Sequence, residues 1–257
     1  MSQIAETRPT RKILGVDFFC GSPEQAAQIG LAGGLVVVPA APALIEISRD
    51  LHYRDALLGA NMVITDSGLM VFLWRLFRQE KLIRVSGLEY LRLILKAPAL
   101  RDPGSVAWVM PTAKARDRNL TWLRSAGFPF TEADCYLAPM YPAGAIRDQA
   151  LLAWLNEHQP KQVIVGLGGG TQERLGYFLR NHLAYRPGIH CIGAAIGFVS
   201  GEQVKIPVWA DYLFLGWFFR CLHEPGKFIP RYWRAKQLVS LMWRYGENLP
   251  PLDSRPH

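Results

Sequence analysis

Short apolar runs alternate with amphipathic stretches along this chain, and the alternation predicts its elements. Residues 13–19 (ILGVDFF) read as a strand that exits through Cys20-Gly21. Ser22-Pro23-Glu24-Gln25 is a helix start: serine suits the N-cap, proline the first helical position, and a glutamine three residues after the cap completes a capping box. That helix stops at Gly33-Gly34, residues 35–38 form a second strand, a helix is expected around 53–58, and 62–65 (MVIT) form a third strand. Further strands are predicted at 105–110, 133–137, 162–165 and 190–192, with helices over 69–77, 113–126, 151–158 and 172–182. Residues 1–12 read as a frayed leader. Brief apolar runs set between helices mark parallel strands buried on both faces. The predicted fold class is therefore α/β, a mostly parallel, Rossmann-like sheet with helices on both faces.

The pattern changes after about Gly201. Four of the eight tryptophans lie at or beyond Trp209, interleaved with Arg220, Lys227, Arg231, Arg234, Lys236 and Arg244. Between Arg231 and Tyr245 the polar positions Arg231, Arg234, Gln237, Ser240 and Arg244 recur every three or four residues, a narrow polar stripe on an otherwise apolar helix. The chain accordingly divides into an α/β domain over 13–208 and a basic, aromatic C-terminal helical appendage over 209–257. Such a helix fits two roles. It can dock on the domain with its arginines in water, or lie at an anionic membrane, where Trp, Tyr and Arg are favoured.

Composition narrows the picture. Of the 257 residues, 50% are hydrophobic and 19% charged, enough for a sizeable core and against wholesale disorder. The mean hydropathy is +0.07, yet no apolar run approaches the ~18 residues of a spanning helix. The nearest, 208–219, is short and carries Asp211. The opening MSQIAETRPTRK lacks the apolar core of a signal peptide. A net charge of +8 points to polyanionic partners. No nucleic-acid motif accompanies it, which leaves an anionic membrane surface or phosphorylated substrates. Cys20, Cys135, Cys191 and Cys221 lie far apart without metal-ligand spacing, and the six histidines are scattered. A reduced, cytoplasmic chain without a metal site is expected.

Two stretches carry candidate chemistry. In NMVITDSGLMVFLWRLFRQEKLIRVSG (61–87) the apolar strand ends on a lone carboxylate, Asp66, followed by Ser67-Gly68 and an apolar helix. Open α/β sheets place reactive groups in this way, in the crevice at the strands' carboxyl ends; the competing expectation is that Asp66 only caps the following helix. In VGLGGGTQE (165–173) a glycine loop leads from a strand into a helix. Its amides and the helix dipole favour phosphate, although the spacing is neither a Walker loop nor a dinucleotide fingerprint.

Taken in order, these blocks resemble the WecG/TagA/CpsF glycosyltransferases, N-acetylmannosaminyltransferase-like enzymes of bacterial cell-envelope polysaccharide synthesis. Ile13-Leu14-Gly15-Val16 is similar to the family's opening strand, and Ser48-Arg49-Asp50 to Ala60 followed by Thr65-Asp66 to its acidic strand end. Arg84-Val85-Ser86-Gly87 resembles its arginine-valine-threonine-glycine turn, and Gly166 to Glu173 its glycine-rich loop. Ala194 to Pro207, Arg220-Cys221-Leu222-His223-Glu224-Pro225 and Arg231-Tyr232 resemble its C-terminal signature, so the likeness spans roughly 13–235. Ala40 stands where the family has asparagine, Gly170 where it has proline before glutamine-glutamate, Ile196-Gly197 where it has phenylalanine-aspartate, and Lys205 where it has arginine.

The resemblance implies an inverting transfer of a sugar from a nucleotide diphosphate donor, a UDP-sugar, to a polyprenyl-diphosphate-linked saccharide. It places the protein peripherally on the inner face of the cytoplasmic membrane and needs neither cofactor nor metal. It implies Asp66 as general base and Arg84 as a second catalytic residue. Gly168, Gly169, Gln172, Arg220 and Arg231 become the donor-binding set. The lost polar positions imply a donor other than the usual N-acetylmannosamine nucleotide. Nucleic acid is not an expected partner, and a homo-oligomer is left open. The rival reading is a non-catalytic sugar-nucleotide or polyprenyl-lipid binding paralogue, which binding without turnover distinguishes.

Overall fold

The computed structural model describes residues 8–193, 195–199, 226, 230 and 233–253. Among the described residues, eight strands form one sheet in the order β1-β2-β4-β3-β8-β7-β5-β6, parallel throughout except for the antiparallel β1–β2 pair. The strands are β1 Thr10–Ile13, β2 Val16–Phe19, β3 Gly34–Val37, β4 Met62–Ile64, β5 Val106–Met110, β6 Cys135–Leu137, β7 Gln162–Val165 and β8 Gly188–Cys191. β4, β5, β7 and β8 are buried at every position, as strands covered on both faces must be.

Side chains alternate across the sheet and divide the core in two. Leu35, Val37, Ala107, Val109, Val163 and Val165 point to one layer, where they meet helices α3 (Leu51–Leu58), α4 (Gly68–Arg78), α7 (Gln149–His158) and α8 (Thr171–His182). Val36, Val38, Val106, Trp108, Met110 and Ile164 point to the other, against α1 (Pro23–Leu31), α5 (Gly87–Ile94), α6 (Ala113–Ser125) and α9 (Ala195–Val199). The predicted α/β sheet with helices on both faces is what forms.

Two local expectations change. Residues 13–19 are not one strand: Leu14 and Gly15 turn the chain back with positive φ (50° and 79°), so β1 and β2 make a tight hairpin. The leader reading of 1–12 stops short as well, because Thr10, Arg11 and Lys12 belong to β1. Leu14 tolerates this backbone because it is buried and its N–H donates to the Gly246 carbonyl at 2.8 Å, while Gly15 N–H donates to Glu247 O at 2.9 Å. The predicted start at Ser22 stands as read: Ser22 Oγ accepts from Gln25 N–H, and Gln25 Oε1 accepts from Ser22 N–H at 2.9 Å.

The C-terminal helix, Gln237–Tyr245, buries Leu238 and Met242 in the first core layer. Part of its polar stripe faces the domain: Arg234 pairs with Glu46 at 3.0 Å, and Gln237 Oε1 accepts from Arg49 Nη2 at 2.8 Å. Beyond it, Pro250 O accepts from the buried Arg54 guanidinium at 2.5 Å. Arg231 and Asp211 lie outside the described residues. Among the described residues no helix is long and apolar enough to cross a membrane.

Candidate active site

The sheet's connectivity fixes where a crevice must open. The chain leaves β3 for the first helical layer and returns in its neighbour β4, whereas it reaches β8 from β7 on the opposite side and leaves for α9 in the second layer. The exits of the adjacent strands β3 and β8 therefore diverge, the geometry that makes ligand crevices in open α/β sheets.

Asp66 stands at this point. β4 ends in Thr65, a fully buried residue whose Oγ1 donates to Ile83 O at 2.7 Å and accepts from Val85 N–H at 3.2 Å. This clamp pulls the 83–87 strap over the end of β4. Arg84 Nε then donates to the Asp66 carbonyl at 2.8 Å, and Asp66 Oδ1 accepts from Gly87 N–H at 2.9 Å. Gly87 is the first residue of α5, so the half-buried carboxylate sits at a helix N-terminus, where the dipole favours its charge. The expectation that Asp66 caps its own following helix does not hold. Ser67 does that, its Oγ accepting from Met70 N–H at 3.2 Å.

Gly87 also marks how close the walls come. A Cβ placed on it would stand 2.9 Å from Val38 Cγ1 and 3.8 Å from both Asp66 Oδ1 and Ile192 O. The ends of β3, β4 and β8 thus converge within one residue's width. Ala40, where the resemblance expects asparagine, follows two residues after Val38 and opens the short helix Ala41–Leu44. Ile196 and Gly197 are buried in α9, against the second core layer.

From β8 the connection continues to the glycine loop. Gly193 N–H donates to Gln172 Oε1 at 2.5 Å, and Gln172 Nε2 donates to Glu173 Oε1 at 3.2 Å. Gln172 is only 2% exposed and both ends of its amide are engaged, so it ties the loop to the β8 exit from beneath. Gly168 and Gly169 lie above it in solvent, and a Cβ on Gly168 would meet nothing within 4 Å. Gly170 has φ +90° and donates its N–H to Glu173 Oε2 at 2.6 Å. Proline, with φ near −65° and no N–H, fits neither requirement. The glycine here therefore belongs with a loop closed by Glu173. Arg174 braces the other side, with Nε on Gly170 O at 3.0 Å and Nη1 on Gly144 O.

The structure thus brings Asp66, Arg84 and the loop residues Gly168, Gly169 and Gln172 to one end of the sheet. Arg220 and Arg231 lie outside the described residues. Sequence reading overlooked Glu173, which is completely buried, and burial raises its carboxyl from 4.5 to about 7 against the opposing pull of backbone amides and Gln172. It overlooked α5 too, although Ser86-Gly87-Leu88-Glu89 before an apolar run is a readable helix start. Among the described residues no three His, Cys, Asp or Glu side chains are grouped to hold a metal ion.

Glu173 gives a stability prediction. Its folded pKa lies above its unfolded one, so the native state binds more protons between about pH 4.5 and 7. The stabilisation present at low pH is lost as pH rises through about 7, on the order of 3 kcal/mol for a shift of this size. Glu173→Gln keeps an acceptor for Gly170 N–H and removes the titration. Denaturant unfolding at pH 5, 6 and 7.5 should show a downward slope in the native protein and a flattened one in the variant. Parallel slopes would mean that Glu173 titrates at its ordinary value.

The model of the "Glycosyl transferase WecG/TagA/CpsF family" matches residues 11–250. A curated protein of Bacillus subtilis (strain 168), named N-acetylglucosaminyldiphosphoundecaprenol N-acetyl-beta-D-mannosaminyltransferase, is 24% identical over 196 residues, covering 75% of this chain and 70% of that protein. A family match over nearly the whole length places this chain among the glycosyltransferases of the WecG/TagA/CpsF family.

Proposed function

We propose that the protein transfers a hexosyl group, with inversion, from a UDP-sugar to a polyprenyl-diphosphate-linked saccharide in bacterial cell-envelope or exopolysaccharide synthesis. The observation that carries this reading is Asp66, a half-buried carboxylate held by Gly87 N–H where β3, β4 and β8 converge. A carboxylate fixed there accepts the proton of an acceptor hydroxyl as that oxygen attacks the anomeric carbon. Attack from the face opposite the leaving nucleotide inverts the centre. The departing diphosphate carries the negative charge that must be neutralised, and no divalent cation is assigned to do it. Arg84 is positioned beside Asp66 for that task, and the guanidinium fork matches phosphate oxygens. Arg220 and Arg231 are proposed to join it. The exposed amides of Gly168 and Gly169 receive the nucleotide phosphates, with Gln172 holding the loop in register.

The acceptor class follows the Bacillus subtilis relative, whose name describes transfer onto N-acetylglucosaminyldiphosphoundecaprenol. A lipid acceptor requires the crevice to stand at a membrane surface. We assign that contact to the C-terminal region, which makes the protein peripheral on the inner face of the cytoplasmic membrane.

The donor is proposed to differ from the relative's. Ala40 and Gly197 offer no side-chain hydrogen bond at positions near the β3 and β8 exits. A site without a partner for an acetamido group gains little from binding one. A plain UDP-hexose is therefore the expected donor. Incubating a panel of nucleotide sugars with a polyprenyl-diphosphate saccharide, followed by mass spectrometry, tests both donor and acceptor. Efficient transfer from the N-acetylmannosamine nucleotide, with every other sugar slower, would overturn the donor assignment. Binding of nucleotide sugars with no product from any of them would overturn the transfer itself.

A further inference from the structure

The sheet has a second opening, at the end opposite Asp66. A cleft of about 530 Å³ lies where β3 and β8 begin. Its walls include Gly33, Asn61, Arg180, Asn181, Tyr185 and Arg186, and among the described residues no carboxylate lines it. The volume is in the range of small-molecule sites.

The side chains at the rim of this cleft, Arg180, Asn181 and Arg186 among them, are exposed. Among the described residues neither Arg180 nor Arg186 enters an ion pair or a side-chain hydrogen bond. The Tyr185 hydroxyl is out of contact with water and has no hydrogen-bond partner. Burial also raises its pKa, so it remains an O–H donor at neutral pH. Asn61 already uses its Oδ1 to accept from Leu35 N–H at 2.9 Å, which leaves its NH₂.

Ordinary structural roles do not account for this set. Arg180 lies in the last turn of α8, where a cation complements the helix dipole. Arg186 lies beyond the helix end and gains nothing from it. An orphaned buried hydroxyl costs free energy, commonly about as much as a hydrogen bond is worth. Two guanidinium groups and an amide NH₂ around one cavity match the oxygens of a phosphoryl group.

We propose that this cleft binds a phosphate-bearing small molecule at a site separate from the crevice that holds Asp66. A terminal phosphate meets Arg180 and Arg186 beside the Tyr185 ring in the cleft wall. The remaining volume takes the organic part of a sugar phosphate or a second phosphoryl group.

The test separates this site from the donor crevice. Protein carrying ¹³C-labelled tyrosine rings is titrated with inorganic pyrophosphate and, separately, with glucose 1-phosphate, and Tyr185→Phe identifies the Tyr185 signal. At least one probe should shift that signal saturably. R180Q/R186Q should weaken the response by roughly tenfold or more, since each charge-assisted bond is worth about that factor. Arg84→Gln should leave it unchanged. A Tyr185 signal indifferent to both probes would overturn the site. So would a response that survives R180Q/R186Q intact, or one abolished by Arg84→Gln, which would place the ligand at the donor crevice. Both variants alter exposed or half-buried side chains, and the remaining tyrosine signals report whether the fold is intact.

Discussion

Replacing Asp66 by Asn is expected to lower transfer by about 10²–10⁴-fold, the usual contribution of a positioned general base, while the fold and nucleotide binding persist. Asparagine is nearly isosteric, and its Oδ1 can still accept from Gly87 N–H, the bond Asp66 makes at 2.9 Å. The other contacts that set the local backbone do not involve the side chain. Arg84 Nε binds the Asp66 carbonyl, Thr65 holds the 83–85 strap, and Ser67 caps α4. What the substitution removes is the carboxylate's basicity and its negative charge at the α5 N-terminus. The comparison needs kcat and nucleotide affinity measured on the same preparation. Near-native turnover by Asp66→Asn with the true donor and acceptor would exclude Asp66 as the base. Loss of both activity and nucleotide binding would instead mark it as part of the donor site.

Replacing Lys236 and Arg244 together by Gln is expected to weaken association with anionic vesicles by roughly 30-fold, at about 1 kcal/mol for each basic side chain near the surface. The C-terminal helix has two unlike faces. Leu238 and Met242 are buried in the core, whereas Trp243 is 72% exposed and sits beside Val239 on the outer side. Trp243 meets Phe77 of α4 edge-on, with ring centroids 5.2 Å apart. α4 itself leaves Phe72 (54%) and Leu76 (58%) exposed, together with Arg75 and Arg78. An apolar surface rimmed by cations therefore spans both helices, and α4 starts two residues after Asp66. Bound to lipid, this surface would hold the crevice where a polyprenyl acceptor lies. Co-sedimentation should require anionic lipid and weaken with salt; Trp243→Ser should reduce it further through lost interfacial burial. A native protein indifferent to lipid charge would contradict the assignment.

Point substitutions are the right probe here, and tail deletion is not. Truncation at Arg231 would strip Leu238 and Met242 from the core. It would also remove the carbonyls of Gly246, Glu247 and Pro250 that satisfy Leu14, Gly15 and Arg54. A deleted protein is expected to unfold more readily. Its loss of transfer would say little about the membrane.

Much of the fold was legible because local physics writes it into short windows. The Ser22 capping box, the short apolar run at 163–165 and the order of strand, acid and helix at 62–78 need only neighbouring residues. The β1–β2 hairpin was hidden for the opposite reason. Its turn is Leu14-Gly15, not the Asn-Gly or Asp-Gly that such turns favour. Hydrogen bonds from Leu14 and Gly15 to residues more than 230 positions away help hold it.

The α/β class, the position of Asp66 at a strand end and that of the glycines at a helix entrance are readable from the order of residues. These follow from periodicity and from residue preferences that act over a few positions. Which groups those residues serve depends on the folded arrangement. Asp66 pairs with an amide 21 residues downstream, Gln172 with one 21 residues downstream, and Glu173 is sealed beneath the loop that it closes. Such pairings depend on which strands become neighbours in the sheet. Here the divergence of the chain after β3 and β8 sets them, and no local window of sequence contains it.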